Sequence, residues 1–229
     1  MTMLAPFRAI DLTDHCESRL VGATQLGAEV IAVEPPGGSV ARRRAAPSPA
    51  TEDPSARSCT ELQPGQAVRR GDLAGREEDR ERFRALVHSA DILIDNEAPG
   101  ALGAVGLGPD ELRAANPALV HVSITPFGQD GPKVGYATSD LVLMAAGGYL
   151  ALTGDEDRAP VRISLEQAWH HAAVDAAGVA LNAARTPAQR ARGSSSTSRC
   201  RHRCCRPRSR WCWLLMALLG WAWCASPVA

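Results

Sequence analysis

Short runs rich in Ile, Val and Leu alternate along this chain with charged, helix-forming stretches, and that alternation restricts the fold more than any other feature. Residues 8–12 (Arg-Ala-Ile-Asp-Leu), 30–33 (Val-Ile-Ala-Val), 92–94 (Ile-Leu-Ile) and 119–124 (Leu-Val-His-Val-Ser-Ile) are too short for helices and predict buried strands. Between the first two, residues 18–26 carry Leu20, Val21, Ala23 and Leu26 and predict a helix. Residues 77–88 predict a stronger one, with Phe83, Leu86 and Val87 set among charges. Pro109-Asp110-Glu111 opens a third helix that closes at Asn116-Pro117, because proline cannot continue it. Repeated strand–helix–strand order predicts an α/β fold, a parallel sheet with flanking helices. Ligands in such sheets lie at the carboxyl ends of strands, so segments 13–18, 34–38, 96–100 and 125–131 are the ones to carry a site.

Charge divides the chain in two. Residues 1–187 hold all 25 acids against 17 basic residues, a net charge of −8, and only one Lys, Lys133. From Gln189 onward there are eight Arg, five of the seven Cys, four of the five Trp and no acid. The expected organisation is therefore a body, 1–187, and an Arg/Cys/Trp-rich tail, 188–229. An acidic body with two Tyr and three Phe argues against a nucleic-acid partner. Only Cys16 and Cys59 lie in it, and the start of the chain has no signal-peptide pattern, so a cytoplasmic location is expected. In the tail, the apolar run 211–225 with its basic flank resembles a membrane anchor, but it is shorter than the ~20 residues that cross a bilayer. Cys200, His202, Cys204 and Cys205 are spaced too tightly to close a tetrahedral zinc site. Neither a metal nor a membrane is expected.

Pro35-Pro36-Gly37-Gly38 and Phe127-Gly128-Gln129-Asp130-Gly131-Pro132 are loops that let backbone approach a ligand closely, although ordinary turns have the same composition. No Walker lysine motif is present, and no GxGxxG follows a strand.

Taken in order, these segments resemble the family III CoA-transferases. The resemblance rests on Leu26-Gly27-Ala28-Glu29-Val30-Ile31-Ala32-Val33-Glu34-Pro35-Pro36-Gly37-Gly38 and on Ala90-Asp91-Ile92-Leu93-Ile94-Asp95-Asn96-Glu97-Ala98-Pro99-Gly100. It continues through Asn116-Pro117-Ala118-Leu119-Val120, Ser123 to Pro132, Asp140, Gly147-Gly148 and Thr153-Gly154, spanning roughly residues 8–185. It implies the N-terminal portion of a Rossmann-like domain that moves CoA from an acyl-CoA thioester to a small carboxylic acid. CoA or acyl-CoA would be a substrate and no cofactor would be held permanently. It also implies a CoA site at Asn96, Pro35 and Gly128, and interlocked homodimers of chains roughly twice this length. In that family an Asp carboxylate attacks the thioester, which requires backbone N–H groups nearby to hold the oxyanion.

Three departures follow. The family's Asp falls nine residues after a proline equivalent to Pro160, where this chain has Trp169. Glu166, three residues earlier, is the candidate substitute nucleophile, against the plainer role of an acid at a helix start. His170 and His171 flank the place. Second, residues 45–71 lack the family's basic block and look like a Pro-, Ala-, Ser- and Thr-rich coil, a stretch out of frame. Third, Ser194 to Cys200 can be coded AGC AGC TCG ACG TCT CGA TGC, which gives Gln-Leu-Asp-Val-Ser-Met when displaced by two bases. That resembles the family's block after its long helix, so the tail is expected to be frame-shifted. The expected chain is a truncated, weakly active or inactive CoA-transferase, with a non-catalytic CoA-binding remnant or, less favoured, a tail-anchored membrane protein as alternatives.

Overall fold

The computed structural model describes residues 4, 7–14, 27–38, 67–155, 157–164, 166–185 and 194–199. The helix expected over 18–26 and the features expected in the tail beyond 199 lie outside these. Within them the chain runs β1 (Arg8–Leu12), β2 (Glu29–Glu34), β3 (Ala67–Arg70), α1 (Glu77–His88), β4 (Ile92–Asp95), α2 (Ala101–Ala104), α3 (Pro109–Ala115) and β5 (Val120–Thr125). It continues with α4 (Asp140–Ala146), a 3-10 turn (Tyr149–Leu152), α5 (Gln167–Arg185) and β6 (Ser194–Arg199). The strands form one sheet in the order β3-β2-β1-β4-β5-β6. Every neighbouring pair is parallel, with Ile10 beside both Ile31 and Leu93. The expected α/β architecture with a parallel sheet is the one observed.

Helices on both faces explain why β2 and β4 are near-continuous apolar runs rather than alternating ones. On one face Ile10, Leu12, Val33 and Leu93 pack under Phe83 and Val87 of α1 and Leu112 of α3. On the other, Ala9, Val30, Ile92, Ile94, Val120, Val122 and Ile124 pack under α5. Helix α5 meets them through a ridge of buried alanines at 168, 172, 176, 180 and 184, one residue every four positions. Alanine favours helix intrinsically, and its small side chain lets the helix axis approach the sheet.

Asn116 shows how one residue can end two helices. Its backbone closes α3, while its side-chain amide donates to Val87 O at 2.9 Å in the last turn of α1 and to Ala90 O at 2.8 Å just beyond it. Its Oδ1 accepts from Ala118 N at 3.0 Å, so carbonyls left open at a helix end and the entry to β5 are fixed together.

One expectation is corrected here. Residues 67–70, placed in a coil over 45–71, form edge strand β3, paired with β2 from Ile31↔Ala67 to Glu34↔Arg70. An edge strand needs only one partner, so Ala-Val-Arg-Arg can pair without the apolar pattern a central strand requires, and basic residues suit an open edge.

Candidate functional site

The order of the strands reverses at β1, with β2 on one side and β4 on the other. In open α/β sheets the crevice for a ligand opens above the carboxyl ends at such a reversal. Between the ends of β1 and β4, the place that rule points to, Asp14 N donates to Asn96 Oδ1 at 3.0 Å. Asn96 is half-buried on the loop after β4. Pro35 is exposed after β2, in a turn closed by Gly38 N donating to Pro35 O at 2.8 Å. Gly128 is buried after β5 with φ of 93°, a left-handed conformation that a side chain would strain. All three residues assigned to a CoA site thus lie on the carboxyl edge of the sheet.

Sequence reasoning missed the polar network beneath this edge. Asp95, 1% exposed, receives His121 Nε2 on Oδ2 at 2.6 Å. Its Oδ1 accepts from Ser123 Oγ at 3.0 Å and from Glu97 N at 3.1 Å. Gln129 Nε2 in turn donates to Ser123 Oγ at 2.8 Å. The available signal was the polar alternation of Val-His-Val-Ser-Ile-Thr in a strand that is buried throughout. One face of β5 serves the apolar core and the other carries polar groups.

Burial first, then the charges of Asp95 and Asp14, push the Glu97 carboxyl above the usual carboxylate range. Between the unfolded-state and the folded-state pKa, the folded chain therefore holds a proton that the unfolded chain has released. Stability from this group is full below the unfolded-state pKa and is lost as pH rises through the folded-state one. Glu97→Gln is expected to raise the melting temperature at pH 7. The gain should disappear below about pH 4, where an ordinary Glu is already protonated. Thermal unfolding across this range checks both.

The start of α5 reaches the same edge, because a helix crossing between parallel strands begins where the preceding strand ends. Glu166 is the last residue before α5, half-buried, and its carbonyl accepts from His170 N at 3.2 Å. Trp169 sits in the helix's first turn, which contains no acid, and packs against the core with Phe127, Tyr149 and Ile163. His171 stacks on Tyr149 with ring centroids 5.8 Å apart. The turn is anchored by Asp140, 7% exposed, whose Oδ1 accepts from Ala168 N at 2.8 Å. Among the described residues no cluster of His, Cys, Asp and Glu could hold a metal ion, and no helix is long and apolar enough to cross a membrane.

These features define a parallel α/β protein with a buried polar network beneath the carboxyl edge of its sheet. The sequence profile of CoA-transferase family III matches residues 7–196, and the chain belongs to that family. It is 36% identical over 190 residues to the BbsE subunit of succinyl-CoA:(R)-benzylsuccinate CoA-transferase from Thauera aromatica, covering 79% of this chain and 45% of that protein. It is 32% identical over 179 residues to succinyl-CoA:mesaconate CoA-transferase from Haloarcula hispanica, covering 71% and 43%. The crystal structure of Rv3272 from Mycobacterium tuberculosis superposes with a TM-score of 0.73 at 27% identity, over 87% of this chain and 55% of that one. The chain thus spans about half the length of these relatives.

Proposed function

We propose that this chain is the CoA-holding portion of a family III CoA-transferase and performs no thioester cleavage with its own residues. The carrying observation is the pairing of the Asn96–Asp14 bridge and buried Gly128 on the carboxyl edge of the sheet with an acid-free first turn in α5. Transfer in this family needs a carboxylate oxygen to attack the thioester carbonyl. CoA thiolate leaves as the mixed anhydride forms and then attacks the enzyme's carboxyl carbon, which releases the donor acid and leaves CoA as an enzyme thioester. The acceptor acid opens that thioester to a second anhydride, and the freed thiolate takes the new acyl group, restoring the enzyme carboxylate. An indole cannot take that part, and Trp169 occupies the expected place. The reading places acyl-CoA and a small carboxylic acid in the site, succinyl-CoA being the first donor to try because relatives are named for it. The name of the BbsE protein makes it a subunit, which supports a second chain supplying the missing carboxylate. A cytoplasmic, dimeric protein belongs to the same reading.

Titration calorimetry with CoA and succinyl-CoA, together with exchange of labelled succinate into succinyl-CoA, tests it. Binding is expected with a dissociation constant of roughly 1 µM to 1 mM, and no exchange. Exchange by the isolated chain that Glu166→Gln abolishes would show Glu166 to be the nucleophile and overturn the non-catalytic reading. Absence of CoA binding would overturn the binding reading.

The displaced frame of the tail is a separate proposal, supported by the register of β6. Positions 196 and 198 stand beside Val122 and Ile124, which belong to the core under α5. A strand extending that layer calls for apolar residues there. With the codons AGC AGC TCG ACG TCT CGA TGC, one of the sets that encode Ser194 to Cys200, the two-base displacement puts Leu and Val on those positions in place of Ser196 and Ser198. The nucleotide sequence around codons 185–199 decides it, since a single continuous frame with no family-like alternative downstream ends the idea.

A further inference from the structure

We propose that Gln129 is a positioning residue, the outer end of a strap that holds the glycine-rich loop 127–131 at the width the ligand requires. This rests on the CoA-holding reading above. The loop carries two glycines at positive φ, Gly128 at 93° and Gly131 at 99°, so its backbone is pliable. The Gln129 side chain reaches back six residues to donate to Ser123 Oγ at 2.8 Å, and Ser123 Oγ donates to Asp95 Oδ1 at 3.0 Å. A hydroxyl has one proton to give. With that proton directed to the carboxylate, Ser123 can only accept from Gln129, which fixes the direction of the chain from amide to hydroxyl to carboxylate. The same Asp95 oxygen accepts from Glu97 N at 3.1 Å on the loop after β4. One buried carboxylate oxygen therefore sets both walls of the crevice, 96–100 directly and 127–131 through Ser123 and Gln129. His121 occupies the other oxygen at 2.6 Å and keeps Asp95 from turning.

The strap predicts a coupling that a surface glutamine would not show. Gln129 is exposed, so Gln129→Ala is expected to leave the melting temperature unchanged. It should weaken CoA roughly three- to tenfold and make amide exchange of residues 127–131 in the ligand-free full-length chain roughly tenfold faster. Ser123→Ala should produce the same loss of affinity, and the double variant should be no worse than either alone. Additive losses, or exchange of the loop unaltered in Gln129→Ala, would overturn the proposal. A wild-type chain that fails to bind CoA sinks the CoA reading and with it the ligand role of Gln129. The exchange measurement still decides separately whether the strap orders the loop.

Discussion

Asp95→Ala is expected to destabilise the fold by about 2–4 kcal/mol, because it leaves buried donors without their acceptor. The carboxylate is 1% exposed and receives three groups, His121 Nε2, Ser123 Oγ and Glu97 N. His121 and Ser123 are themselves 7% and 6% exposed, so water does not replace the lost acceptor, and each stranded donor carries its own desolvation penalty. Asp95→Asn retains one carbonyl oxygen and loses the charge facing His121. It should cost less, about 1–2 kcal/mol. Urea unfolding at pH 7 measures both. A cost for Asp95→Ala below about 1 kcal/mol would mean that water reaches the network in solution and that these bonds are not dry.

Asp140→Ala is expected to cost about 2–3 kcal/mol through the joint between two helices. Asp140 opens α4 just after Ser139, whose hydroxyl accepts from Val142 N at 3.4 Å. At the same time its buried Oδ1 accepts from Ala168 N in the first turn of α5. One negative charge thus faces the open N–H groups at the start of two helices, where the backbone dipoles favour it. Asp140→Asn keeps an acceptor and loses the charge, and should retain about half the stability difference. Since the turn it anchors carries Trp169 and leads into His171, the same variant should also disturb the Tyr149–His171 stack, visible as shifted His171 ring resonances. Unfolding curves that superpose on the wild type would show that the joint is held by packing alone.

The strands β2 and β4 were legible because burial on both faces writes itself as a run of Ile, Val and Leu, and β1 and β5 because apolar residues recur in them over a length too short for a helix. α1 was legible because Phe83 and Val87 repeat at helical spacing with charge on the other side. β3 was not, since Ala67–Arg70 owes its strand to hydrogen bonds with β2 and not to side chains that a pattern can register. α4 escaped for a related reason. Leu141 and Val142 are exposed at 41% and 44% while Leu143 and Met144 are buried, so four consecutive apolar residues conceal which side faces in. Asn96, Pro35 and Gly128 could be named from the family motif, and the strand ends place them on one edge. The contact of Asp95 with His121 joins residues 26 apart, and only the parallel register of β4 with β5 brings them together.

The alanine ridge of α5 works as a shim of fixed thickness. With Ala176 fully enclosed and its neighbours nearly so, any added methyl must lift the whole rod from the sheet. Lifting it would carry Trp169 away from the carboxyl edge. Drift along that side is therefore limited to exchanges as small as serine or glycine. The outward side, where Val174 stands 73% exposed, is under no such limit.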